Sequence, residues 1–297
     1  MIKSLRKKGE VNMREDYISY QGKKIWYSVY GEESQQTPLL VVHGGPGFLS
    51  IPDVISDFSD DRPVYFYDQL GSGNSEMADS KNDYSLEYFV SELDAMIQGL
   101  QLSEVILLGL SWGCGLSTAY MLDKKPQFVK ALILSAPYLS TPLWEECAME
   151  NISNLPETMQ KIIIEAEKNQ EFGAEYEIAS EAYYRKYLCR LDPWPDSVMD
   201  SFGKLNMDVY LTMWGPSEFS VNGKLKQFDL MPQLHEIPVP VLLTCGDSDE
   251  AGVKMVKDFQ MAFPQGSMAV IPRSAHLHHI EQPVIYKTIV SEFLKDK

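Results

Sequence analysis

The chain has 297 residues, 44% of them hydrophobic and 11% aromatic. That allows one large α/β domain or two smaller ones, with a full core. Charged residues make up 23%, an ordinary globular share that excludes disordered and collagen-like classes. The 26 basic and 42 acidic residues leave a formal charge of −16. Such a chain repels a nucleic-acid backbone or an anionic membrane and tolerates a cationic small ligand.

No apolar run approaches the ~20 residues of a membrane span. The opening MIKSLRKKGEVNMR is basic with no apolar stretch behind it, so it does not read as a secretory signal, and Met13 is a second candidate start. Cys114, Cys147, Cys189 and Cys245 are far apart and lack CxxC spacing. Reduced thiols in a cytoplasm are expected, not a disulfide framework or a zinc site.

In chain order, Tyr17–Tyr20 and Ile25–Tyr30 flank a Gln-Gly-Lys-Lys turn and predict a hairpin. Pro38–His43 and Pro63–Asp68 are short continuous apolar runs, fit for strands buried on both faces. Leu86, Phe89, Val90, Leu93, Ile97 and Leu100 recur at helical spacing behind Ser85, a candidate N-cap. Val105–Gly109 reads as a strand, Leu116–Leu122 as a helix stopped by Pro126, and Ala131–Ser135 as a strand. This alternation predicts a mostly parallel, doubly wound sheet with helices on both faces. The pattern lapses over 141–224, which is helical in character, and strands return at Val239–Thr244 and Met268–Ile271. The expected organisation is a core from 1–140 and 225–297, with a helical insertion at 141–224.

Gly109-Leu-Ser111-Trp-Gly113 lies directly after a predicted strand and before a predicted helix, the setting of a nucleophile elbow. The turn is tight, so small residues must flank the serine, and the helix N-terminus behind it favours developing negative charge. Serine needs a base oriented by an acid, and in this setting the chain order is serine, acid, histidine. One predicted strand ends in Asp247-Ser-Asp249-Glu250 and the last ends in a loop at His276, so the order fits. On the residues alone, Asp247 competes with Asp249, and His276 with His278 and His279. His276 begins an H-x4-E pattern ending at Glu281 that can open the last helix, leaving His278 and His279 as surface or packing residues. His235 has no partner pattern and reads as surface. His43-Gly-Gly-Pro-Gly47 ends the first buried strand, where a second oxyanion donor belongs. Gly45 N–H and Trp112 N–H are the expected donors, and His43 is expected to be structural.

Together, HGGPG at 43–47, Asp68-Gln-Leu-Gly-Ser-Gly-Asn-Ser75, the elbow at 109–113, Gly-Asp-Ser-Asp-Glu at 246–250 and Ser-Ala-His at 274–276 resemble the proline iminopeptidase family of α/β-hydrolases. The resemblance runs from about residue 17 to the C-terminus. It implies an α/β-hydrolase fold with an inserted helical cap, Ser111 as nucleophile, Asp249 as acid and His276 as base. Trp214-Gly-Pro-Ser-Glu218-Phe with Gly223-Lys-Leu resembles the archaeal-type branch that includes the tricorn-interacting aminopeptidase. That branch implies Glu218 and Glu250 as ligands of the substrate's amino group. Leu110 and Cys114 depart from common members without removing a needed group. The implied activity is a cytoplasmic serine aminopeptidase acting on a short peptide or aminoacyl substrate with a free N-terminus, proline or a small apolar residue preferred. An amino-acid amidase or ester hydrolase of the same fold is the alternative. No metal or organic cofactor is implied.

Overall fold

The computed structural model describes residues 13–297; the basic opening segment lies outside them. The strands are β1 (Met13–Tyr20), β2 (Lys23–Tyr30), β3 (Leu39–Val42), β4 (Val64–Tyr67), β5 (Val105–Leu110), β6 (Val129–Ser135), β7 (Val241–Gly246) and β8 (Gly266–Ile271). They form one sheet in the order β1-β2-β4-β3-β5-β6-β7-β8. β1 pairs antiparallel with β2, and β2 with β4; every pairing from β4 through β3 to β8 is parallel. The predicted hairpin is present, but its loop is Gln21-Gly22 alone. Lys23 and Lys24 are already paired with Tyr20 and Ser19. Both loop residues have positive φ (48° and 79°), the two-residue turn whose twist matches that of its strands.

The helices of the core are α1 (Leu86–Gly99) and α2 (Trp112–Lys124). Ser85 caps α1, accepting from Tyr88 N–H. α2 starts four residues earlier than its apolar spacing suggests, because the elbow feeds straight into it. Between β6 and β7 the chain runs through α3 (Thr141–Ser153), α4 (Glu157–Asn169), α5 (Ala174–Tyr187), α6 (Asp196–Gly203) and α7 (Met207–Met213). Part of this segment has a core of its own, in which Ile152, Ile163, Ala179, Tyr183 and Phe219 pack together. Then come α8 (Val253–Ala262), the single turn α9 (His278–Glu281) and α10 (Pro283–Leu294).

Sheet residues alternate between two apolar cores. Leu40, Val42, Leu107 and Leu243 face one; Leu39, Val41, Ile106, Leu108 and Leu242 face the other. Burial on both faces explains why β3–β7 read as continuous apolar runs. The parallel strands end together at one edge, which gathers the loops after β3, β5, β7 and β8. Among the described residues no helix is long and apolar enough to cross a membrane.

Candidate active site

Ser111 sits between β5 and α2 with φ 51° and ψ −114°, a strained backbone for a residue with a Cβ. The flanking glycines are required by contact. A Cβ on Gly113 would lie 1.9 Å from Val42 O, and one on Gly109 would lie 2.6 Å from Cys114 N. Ser111 N–H donates to Ser135 O at 2.9 Å, tying the elbow to β6. A Cβ on Gly44 would lie 3.3 Å from Ser111 Cβ, so the 43–47 loop runs directly over the serine. Gly45 has φ 120° and lines the same cavity as Ser111.

That loop is pinned from beneath. His43 is buried; its Nδ1 bonds Gly44 O and its Nε2 accepts from Gln69 N–H at 2.9 Å. Nε2 is thus the bare nitrogen, and burial lowers the ring's pKa. Gln69 bridges the two expected donor segments, donating to His43 O and accepting from Trp112 Nε1. Asp68 ties off the rest of the motif. Its carboxylate accepts from Ser50 N–H and Asn74 N–H, and a Cβ on Gly73 would strike it at 2.1 Å.

Of the two competing acids, Asp249 meets the histidine. His276 Nδ1 lies 2.8 Å from Asp249 Oδ1, which also accepts from Ala251 N–H, while Oδ2 accepts from Gly246 N–H. Both side chains are buried. Burial opposes the charge on Asp249, but the two nearby histidines hold its pKa well below the usual carboxylate range. Asp247 is an outer, structural residue. It accepts from Arg273 N–H and Ser274 N–H and sits 3.5 Å from Arg190.

His278 and His279 are both buried, on α9, so of the two expectations packing holds and surface does not. The H-x4-E pattern does not open α10. Glu281 instead accepts from Ala275 N–H and Arg190 N–H, fastening the loop that carries His276. His235 is exposed, as expected.

Ser111, His276, Gly45, Glu218 and Glu250 all line one cavity of about 250 Å³. Its outer wall comes from the helices between β6 and β7, through Tyr176, Tyr184, Phe202 and Tyr210 among others. Glu250 is 2% exposed, and its Oε1 has no hydrogen-bond partner. Its Oε2 lies 3.9 Å from His276 Nδ1. Glu218, a surface acid by composition alone, accepts from Tyr210 O–H at 2.5 Å. Burial raises the pKa of both glutamates, Glu250 more strongly. For His276 burial acts the other way, yet the charge and hydrogen bond of Asp249 and the charges of Glu250 and Glu218 raise its pKa to about 9. Such an arrangement can activate a serine hydroxyl and hold a small cation beside it.

The sequence profile of the alpha/beta hydrolase fold matches residues 37–283. The proline iminopeptidase of Heyndrickxia coagulans is 38% identical over 283 residues, covering 94% of this chain and 98% of the relative. The crystal structure of the proline iminopeptidase of Mycobacterium smegmatis superposes with a TM-score of 0.87 at 29% identity, covering 95% of this chain and 98% of that one. The chain belongs to the proline iminopeptidase family of α/β hydrolases. It is an enzyme, a serine hydrolase acting as an aminopeptidase. The crystal structure of VinJ also superposes, with a TM-score of 0.90 at 28% identity over 95% of this chain and 98% of that one.

Three supports of this family site were missed in the sequence. Tyr187 O accepts from both Glu250 N–H and His276 N–H, so the end of α5 clamps the loops that carry Asp249 and His276 together. Glu167 on α4 bonds Ser217 Oγ and Tyr176 O–H, holding the segment next to Glu218. Trp144 on α3 places its ring 5.9 Å from the His276 ring and donates from Nε1 to Glu218 O. None has a sequence signal, since each contact joins separate elements that only the fold brings together.

Proposed function

We propose that this aminopeptidase works in the cytoplasm and releases an N-terminal proline or another small apolar residue from short peptides through an acyl-enzyme. Ser111 Oγ attacks the first carbonyl as His276 takes its proton. Asp249 holds the ring by Nδ1 and balances the charge that the ring acquires. The N–H groups of Gly45 and Trp112 donate to the developing oxyanion, each worth ~2.7–4 kcal/mol. His276 then hands its proton to the leaving amine, and water releases the acyl group by the same steps in reverse order. Residues 141–224 serve as the cap that closes the site.

Glu250 carries the substrate reading. A buried carboxylate oxygen with no partner, beside the Asp249–His276 pair, calls for a cation with hydrogen atoms to give. The substrate's ammonium supplies it, with Glu218 as the second acceptor, and the resemblance of the Trp214–Phe219 segment to the archaeal-type branch supports that role. An N-terminal extension would put bulk and a neutral amide where the two acids lie.

The test is an arylamide panel with free and N-acetylated amino groups. Free prolyl arylamide should turn over and the N-acetyl compound should not. Ser111→Ala should lower kcat at least ~10⁴-fold with the fold intact by circular dichroism. Glu218→Gln and Glu250→Gln should each weaken binding of the free amine by about 1.5–3 kcal/mol and leave a simple ester largely unaffected. Equal hydrolysis of blocked and free substrates would leave an amidase or esterase instead.

A further inference from the structure

Asp249 has a second histidine on its far side. His278 is fully buried, and its Nδ1 lies 3.5 Å from Asp249 Oδ2, the oxygen that does not touch His276. That nitrogen makes no hydrogen bond. The opposite nitrogen, Nε2, is 2.9 Å from Thr244 Oγ1 on β7. Thr244 donates to Ser135 Oγ on β6 at 3.1 Å, and Ser135 Oγ is 2.9 Å from Tyr286 O–H on α10. The rings of Tyr286 and His279 pack 5.7 Å and 6.0 Å from the His278 ring. The ring is therefore fixed by three elements, with one edge aimed at the carboxylate.

We propose that His278 is a positioning residue for the Asp249–His276 pair, presenting a protonated Nδ1 to the Asp249 oxygen that His276 leaves open. The proposal rests on the triad reading above. Its physical basis is the sign of the contact. A bare ring nitrogen aimed at a buried carboxylate sets lone pair against negative charge in a place no water reaches. A proton on Nδ1 turns the same contact into attraction. With Gly246 N–H on Oδ2 and Ala251 N–H on Oδ1, the contact from His278 completes a cage that stops the carboxylate from turning away from His276. The titratable groups facing His278 are Asp249 and His276 from the two loops, His279 and Glu281 on α9, and Tyr286 on α10.

The experiment compares His278→Leu, His278→Asn and Asp249→Asn with the unaltered enzyme, using a free-amine arylamide. Leucine fills the space without a donor; the asparagine amide can place a donor where Nδ1 was. His278→Leu should lower kcat roughly tenfold with little change in KM, the scale of one hydrogen bond to a charged group. It should also move the acidic limb of kcat/KM to higher pH. Without the His278 donor more of the Asp249 charge acts on His276, so His276 keeps its proton longer. His278→Asn should restore both. Matching profiles for the two variants, or a His278→Leu enzyme with the original kcat and limb, overturns the proposal. If neither variant folds, the imidazole nitrogen spectrum of the 15N-labelled enzyme decides it. A protonated His278 Nδ1 supports the proposal and a bare one overturns it. Asp249→Asn separates the two levels: if it stays active the triad reading itself falls, and if it is inactive beside an unchanged His278→Leu only this inference falls.

Discussion

His276 carries a conflict that the substrate resolves. With Asp249, Glu250 and Glu218 around it, the ring's pKa is raised to about 9, and a protonated ring cannot take the proton of Ser111. The two glutamates are themselves pushed up by burial, so the three groups titrate as one coupled cluster. An ammonium between the glutamates offsets their negative charge and removes part of the field that holds the proton on His276. Free-amine substrates thus activate the base as they bind, which neutral esters do not. kcat/KM reports the free enzyme and kcat the complex, so for a free-amine arylamide the acidic limb of kcat should lie at lower pH than that of kcat/KM. Glu250→Gln removes one negative charge beside His276 and should shift the kcat/KM limb to lower pH. Profiles between pH 5 and pH 10 check both statements, and a limb left in place by Glu250→Gln would separate Glu250 from the base.

At the level of elements, the sequence was most legible where local chemistry decides geometry. The strand runs were visible because both sheet faces are buried, and the elbow because glycine is obligatory on each side of Ser111. The start of α2 was less so, since Trp112–Gly115 carry no apolar spacing and the helix begins there because the elbow aims it. The choice of Asp249 over Asp247 followed from the resemblance; spacing alone left both open. Glu281 was seen as part of a pattern, but its job in holding the Ala275 and Arg190 backbones depends on where α5 ends. Glu92 on α1 gave no sequence signal. It is wholly buried, its Oε2 accepts from Leu70 N–H behind the Gln69 bridge, and its Oε1 has no partner. Burial raises its pKa to about 8. The folded chain therefore binds this proton more tightly than the unfolded chain, and stability falls as pH rises from about 4.5 toward 8. Glu92→Gln keeps an acceptor for Leu70 and cannot ionise. It should be nearly neutral at pH 4.5 and stabilising by about 3 kcal/mol at pH 7. Denaturant unfolding at the two pH values tests this; an equal effect at both would mean that Glu92 does not change its ionisation on folding.

Across the whole molecule, the charge of −16 and the acidic cavity have the same sign. Screening acts over ~10 Å at 0.1 M salt, so the distant surface carboxylates contribute to encounter only when salt is low, while Glu218 and Glu250 act at contact whatever the salt. A cationic free-amine amide should accordingly lose kcat/KM as salt rises from millimolar to near-molar, with most of the loss at the low end and kcat little changed. A neutral ester turned over at the same Ser111 should show no such slope. Glu218→Gln and Glu250→Gln should lower kcat/KM for the amide at every salt concentration while keeping the slope, because they remove contact acceptors and leave most of the net charge in place. Steady-state rates for the pair of substrates across a salt series distinguish these terms. Parallel losses for amide and ester would show that salt acts on the protein or its cap, and that the surface charge has no part in gathering substrate.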